Sequence, residues 1–182
     1  MKTKAPQAQH PWSVPIVVAE IPEGGRQVLL VAGEHIRESV ARLAGLRSLS
    51  RLEASFELVP HGRDGLHVVG RVSATAGQTC VITLDPIEGE VDEDIDLEFA
   101  QRAPVLLDEQ GETVELVSEN SPEPLAGGIV DLGIIATEFL ILGIDPYPRK
   151  PGAVFDPPLT EDDSVQPFSA LAALKADKSP TG

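Results

Sequence analysis

The chain has 182 residues and is short of several things: one cysteine, one methionine, one tryptophan, one tyrosine, and only 4% aromatic residues. A lone cysteine, Cys80, excludes an intramolecular disulfide framework. Zinc needs about four thiolate or imidazole ligands, and Cys80 with the scattered His10, His35, His61 and His67 does not supply that pattern, so no metal and no cofactor is expected. So few aromatics leave little for stacking unpaired bases, the usual route to single-stranded RNA recognition. The start, MKTKAPQAQHPW, has no apolar run of signal-peptide type, which makes a cytoplasmic protein the expectation. The longest apolar stretch, around Ile134 to Ile144, contains Glu138 and falls well short of the roughly 20 residues that span a bilayer. No G-x-S-x-G elbow, H-E-x-x-H or P-loop occurs, and the pairs Gly24-Gly25 and Gly127-Gly128 are turn signals.

Bases are also scarce, and where the acids lie matters more than their total. The net charge is -15, yet residues 85 to 125 alone hold 14 acids against one base, Arg102. Such a chain is repelled by phosphate backbones unless one face is locally basic. Arg37, Arg42, Arg47 and Arg51, close together on and after one predicted helix, are the candidate RNA or partner contacts. Glu34, Glu38 and Glu53 share that region, so an ion-paired helix surface is the competing account.

Periodicity predicts an α+β fold: an antiparallel sheet, with a barrel-like form among its options, packed with two main helices, flexible termini and an acidic loop. Val14 to Ile21 and Gln27 to Val31 are expected to form a hairpin through the turn Pro22-Glu23-Gly24-Gly25. Glu34 to Leu43 is a helix with Ile36, Val40 and Leu43 on one face and Gly45 as its C-terminal cap. Leu52, Ala54, Phe56 and Leu58 alternate with polar residues as the buried side of a strand. A turn at residues 60 to 65 leads to a return strand with Leu66, Val68, Gly70, Val72 and Ala74 inward, and Cys80 to Leu84 is expected to continue the sheet.

After a turn at residues 85 to 90, Val91, Glu93, Ile95, Leu97 and Phe99 alternate with Asp92, Asp94, Asp96 and Glu98. Those last four form a carboxylate ladder, expected to face solvent and to dock a basic partner. A calcium site is disfavoured there, because carboxylates on an extended strand diverge whereas a calcium loop converges its oxygens. Residues 108 to 128 are acidic and poor in aromatics, expected as a mobile loop with a short strand-forming patch at Val114 to Val117.

Near the C-terminal end, EPLAGGIVDLGIIATEFLILGIDPYPRKPGAVF spans Glu123 to Phe155. Asp131 sits where a helix N-cap belongs. Leu132, Ile135, Phe139 and Leu142 recur at helical spacing, with apolar residues around most of the circumference, so the helix is expected to be enclosed. Asp145 before Pro146 ends it. Pro146, Pro148 and Pro151 then hold Tyr147, Arg149 and Lys150 on a stiff backbone as a candidate recognition strip. The expected boundaries are a tail over residues 1–12, one domain over 13–155, and a tail over 156–182 carrying a short amphipathic helix at 168–175.

The Glu123 to Phe155 segment resembles the closing motif of the YceD family, and three further stretches are similar to its alphaproteobacterial form: GQTCVITLDPIEGEVDEDIDLEF, EHIRESVARLAGL and QPFSALAALK. The resemblance implies a non-enzymatic factor supporting large-subunit ribosomal RNA accumulation and ribosome assembly, with ribosomal RNA or a large-subunit ribosomal protein as partner. Many relatives carry a C-x-x-C pair where this chain has Cys80 and Thr83, so a metal role ascribed to the family is in doubt here. The alternative is a metal-dependent or nucleic-acid-processing enzyme whose ligands only the fold assembles. The oligomeric state is open.

Overall fold

The computed structural model describes residues 10–62, 65–100, 105–107, 113–115 and 122–156. The chain divides into two units, residues 1–151 and 152–182, and only residues 152–156 of the second are described. In the first unit the elements run β1 (Pro15–Val17), β2 (Arg26–Val31), α1 (Glu34–Leu43), β3 (Ser48–His61), β4 (Gly65–Thr79), β5 (Pro86–Ala100), β6 (Val105–Leu107), β7 (Thr113–Glu115), β8 (Glu123–Pro124), β9 (Ile129–Asp131) and α2 (Leu132–Gly143). The class is α+β.

A five-stranded sheet in the order β2-β3-β4-β5-β8 is antiparallel except for the short β5-β8 pairing. Two small pairs, β1-β9 and β6-β7, accompany it. The sheet is open, with β2 at one edge and β8 at the other, and so does not take the barrel-like form.

Period-two patterning fixes which face is which. Leu52, Ala54, Phe56 and Leu58 of β3, Leu66, Val68, Val72 and Ala74 of β4, and Val91 and Ile95 of β5 are buried. They share one cluster with Val40 and Ala41 of α1 and Leu132, Ile135, Ala136 and Leu140 of α2. Helix α1 lies against β3, and α2 against β4 and β5. Both helices therefore cover one face, and the other, here called the outer face, is left to solvent. No helix among the described residues is long and apolar enough to cross a membrane.

The helix ends follow their local chemistry. Gly45 takes φ +67°, Leu46 N–H donates to the Ala41 carbonyl, and Gly45 N–H donates to that of Arg42, which is a Schellman closure of α1. Asp131 caps α2: its Oδ1 accepts from Gly133 N–H at 3.0 Å and Ile134 N–H at 3.2 Å. The same oxygen takes Val14 N–H at 2.8 Å, and Oδ2 takes the Ser13 hydroxyl at 2.5 Å. One carboxylate thus starts a helix and anchors the first strand. Gly133 allows this approach, since a β carbon there would lie 2.7 Å from the Trp12 carbonyl oxygen.

Several expectations are corrected. The hairpin between β1 and β2 does not form. A 3-10 turn at Val18–Glu20, closed by Ile21 N–H to the Val18 carbonyl, ends β1 early, and β1 pairs antiparallel with β9 instead. Cys80 to Leu84 does not continue the sheet either: β4 stops at Thr79, the intervening residues turn, and β5 starts at Pro86. Leu84 there adopts φ +62°, with its N–H on the Cys80 carbonyl and Cys80 N–H on that of Asp85.

Helix α2 is enclosed on one side only: Leu132, Ile135, Ala136, Thr137 and Leu140 are buried, whereas Glu138, Ile141 and Leu142 are exposed. Trp12, assigned to the N-terminal tail by composition, is buried in the core. In the acidic segment β6 pairs with β7, bringing Val105 to Leu107 against Thr113 to Glu115. The rest of that expected loop as far as residue 121, and the helix expected at 168–175, lie outside the described residues.

Candidate functional site: the acidic outer face of the sheet

The strand register lines up the exposed side chains in rows across the outer face. Gln27, Glu57, Val69 and Asp96 form one row, Leu29, Ser55, Arg71 and Asp94 the next, and Val31, Glu53, Ser73 and Asp92 the third. The carboxylate ladder Asp92, Asp94, Asp96 and Glu98 faces solvent, as alternation predicted.

Most of the ladder is already engaged within the sheet. The Ser73 hydroxyl donates to Asp92 at 2.5 Å, Arg71 Nε donates to Asp94 at 2.8 Å, and His67 Nε2 lies 2.7 Å from Asp96 Oδ1. One register step further, Glu90 receives the Thr75 hydroxyl at 2.8 Å and Arg51 Nη2 at 2.6 Å. The Thr75 bond first, then Arg51, holds the Glu90 carboxyl below the usual carboxylate range, and the same contact with Glu90 raises the Arg51 pKa. Two other acids on this face differ. Among the described residues, Glu53 and Glu57 of β3 have no salt-bridge partner, as Asp92 and Glu98 of the ladder have none, and unlike Asp92 they take no side-chain hydrogen bond from a neighbouring strand. Beside them on β2 stand Leu29, 71% exposed, and Val31, 65% exposed.

Of the four arginines singled out by sequence, three share one groove and the fourth stands apart. Arg37 is half-buried and acts as a strut, donating from Nε to the Leu49 carbonyl at 3.2 Å and from Nη1 to the Ala32 carbonyl at 2.8 Å. Arg42 bonds within its own helix, to the Glu38 carbonyl and the Ser39 hydroxyl. Arg47 reaches Thr79 at 3.5 Å. Arg37, Arg42 and Arg47 line one shallow groove that Glu34 and Glu38 also line. Arg51 is separate, on the outer face of the sheet with Glu90.

The proline strip is ordered and clasped to the loop after β4. Asp145 Oδ1 accepts Tyr147 N–H at 2.8 Å, and the Asp145 carbonyl accepts from Gln78 Nε2 at 2.8 Å. Val81 N–H donates to the Pro148 carbonyl at 2.9 Å. Lys150 Nζ pairs with Asp85 Oδ2 at 3.0 Å, and this contact, with the Thr83 hydroxyl second, lowers the Asp85 pKa. Tyr147 is 70% exposed, and Arg149 is exposed too.

Cys80 lies inside this clasp with none of its surface exposed. Its sulfur accepts from Lys150 N–H at 3.3 Å and Thr83 N–H at 3.4 Å. These bonds, led by that from Lys150, lower the thiol pKa to about 6. Thr83 thus supplies hydrogen bonds to the Cys80 sulfur. Among the described residues no group of three or more His, Cys, Asp or Glu is placed to hold a metal.

Sequence reasoning found the ladder but missed Glu53, Glu57, Leu29 and Val31 as one surface. The available signal was Leu29 and Val31 on a strand whose alternate residues, Val28 and Leu30, pack on the core. Comparison of the chain with protein-family models, with curated proteins and with solved structures found no match.

Proposed function

We propose that this protein is a non-enzymatic docking factor whose acidic outer sheet face receives a basic partner. The resemblance of its sequence to the YceD family makes the partner a component of the large ribosomal subunit during assembly. The observation carrying the docking part is the pair Glu53 and Glu57, without a salt-bridge partner among the described residues, beside exposed Leu29 and Val31. A cation reaching this surface meets carboxylates it need not share with a neighbouring strand, and apolar side chains that its stem can cover.

Ribosomal proteins are basic, and their extended segments must be kept from non-specific contact with RNA until assembly. An acidic receptor does this by competing with phosphate. Direct RNA contact is the weaker route, since Arg37 and Arg51 are committed to intramolecular bonds. Arg149 and Tyr147 on the proline strip would supply secondary contacts with the same partner.

The test is to recover tagged protein from cell extract at low and moderate salt and identify what co-purifies, with E53Q/E57Q in parallel. A large-subunit ribosomal protein should be enriched from the wild-type extract, weakly from E53Q/E57Q, and less at moderate salt. Cells lacking the protein should accumulate less large-subunit ribosomal RNA. Normal ribosomal RNA levels in those cells, or recovery of no ribosomal component, would overturn the assignment.

A further inference from the structure

The edge of the sheet at β2 carries more information than its side chains. Ala32 N–H donates to the Leu52 carbonyl at 3.0 Å. The register pairs Leu30 with Ala54 and Val28 with Phe56 in the same series. In an antiparallel ladder the backbone groups of alternate residues turn toward the partner strand and those between turn away. Val28 and Leu30 therefore bond to β3, while the N–H and C=O groups of Gln27, Leu29 and Val31 point outward from the sheet. Among the described residues no strand pairs with that edge. The residues presenting outward backbone groups are the ones whose side chains lie on the acidic face.

An exposed edge of this kind usually carries a device against pairing, such as a lysine, a proline or a bulge. Here the outward-facing positions are Gln27, Leu29 and Val31, and the irregularity in the neighbouring pairings falls at Leu49/Arg51, between β3 and β4 and away from the edge. Charge selects what can pair. A second copy added through β2 would bring two acidic faces side by side, with Glu53 and Glu57 doubled. The arginines on this face do not offset that, since Arg71 and Arg51 are engaged by Asp94 and Glu90.

We infer that β2 accepts an extended, lysine- or arginine-rich segment of a protein partner as an added edge strand. This deepens the docking reading above and rests on it. Backbone bonds to Gln27, Leu29 and Val31 hold the segment in register. Its basic side chains lie with their stems over Leu29 and Val31 and their charged ends toward Glu57 and Glu53, one strand further in. Alternation gives the specificity: every second residue of the guest faces the acids, and those between face the other way. A six-residue edge strand selects a short segment, with basic residues at alternate positions over about one strand length.

The probe is a fluorescein-labelled peptide, blocked at both ends, with lysine at alternate positions and threonine between. Its control has glutamate in place of lysine. Fluorescence anisotropy at low salt gives affinity, and amide hydrogen exchange on the wild-type protein reports which backbone groups the peptide covers. The lysine peptide should bind, the glutamate peptide should not, and the Leu29 and Val31 amides should gain protection. Leu29→Pro removes an N–H that the sheet does not use, so the fold should be retained while affinity falls at least tenfold. E53Q/E57Q should weaken binding and flatten its salt dependence.

Lysine peptide bound with the Leu29 and Val31 amides unprotected would overturn strand addition and leave the docking face in place. No binding of the lysine peptide at all would overturn both. A dimer at working concentration, with those amides protected before peptide is added, would assign the edge to a second copy and overturn the inference. Because exchange is read on the wild-type protein, the result stands even if Leu29→Pro fails to fold.

Discussion

The outer face carries two sets of acids, one on β5 and one on β3, and they differ in what they have left to offer. Three of the ladder acids, Asp92, Asp94 and Asp96, meet Ser73, Arg71 and His67 on the neighbouring strand. Glu53 and Glu57 are fewer, and among the described residues neither has a salt-bridge partner. The denser row is the more satisfied one. A carboxylate's worth to a partner depends on its local pairing, so the sparser pair, beside Leu29 and Val31, is the better receptor.

Changes on the buried face should remove both sets together. Leu58 is fully buried, and Leu58→Ala should cost about 2–5 kcal/mol through lost burial and the cavity left behind, measured by urea unfolding. A loss well below that range would mean the sheet tolerates a void beneath the receptor. Asp131→Ala should cost about 1–2 kcal/mol, since the cap and the anchor of β1 go with one side chain. Binding of the lysine peptide should survive it at temperatures where the protein stays folded. Weakened binding in that variant would mean that stability in general, rather than one acid pair, sets affinity.

The contrast itself is tested by two neutralised variants. E53Q/E57Q should lower affinity for the lysine peptide about tenfold, and D92N/D94N/D96N by much less, because a pair already formed has little to give a newcomer. Stability should shift by less than about 1 kcal/mol per pair in the ladder variant, as exposed ion pairs contribute little. Equal losses of affinity would erase the distinction between the sets.

A separate effect concerns Cys80. Its thiol ionises at about 6 in the folded protein and near 8.5 when unfolded, so folding favours the thiolate. That contribution is complete above the unfolded value and is lost as pH falls through 6. Wild-type stability should therefore rise between pH 6 and 8.5 relative to Cys80→Ala, by thermal melts across that range. Parallel curves would show that the thiol stays protonated.

What the sequence made legible is what local chemistry encodes. Alternation in Leu52 to Leu58, Leu66 to Ala74 and Val91 to Phe99 named the buried face, because one residue's slip would reverse it. Asp131 and Gly45 were readable as caps because each acts within one helical turn. The partner of β1 was not readable, since Pro15 to Val17 meets Ile129 to Asp131 across more than a hundred residues with no local cue. Residues 80 to 84 read as strand from their apolar and β-branched content, yet bonds to Asp85 and Pro148 turn them into a loop. Counting acids located the ladder; only the register revealed that Arg71, His67 and Ser73 had met it. Arg37 looked available for RNA because its carbonyl partners, at Ala32 and Leu49, leave no trace in composition.

The attachment of β1 sets an order of events during synthesis. Strands β2 to β5 can pair as soon as they leave the ribosome, each with a neighbour already made or next to come. Residues 12 to 17 cannot settle, because their partners, Asp131 and β9, are translated more than a hundred residues later. For that interval Trp12 has no finished core to enter. Residues 12 to 17 are therefore among the last of the unit to find their places, and the contacts of Asp131 with β1 form only when both segments are present.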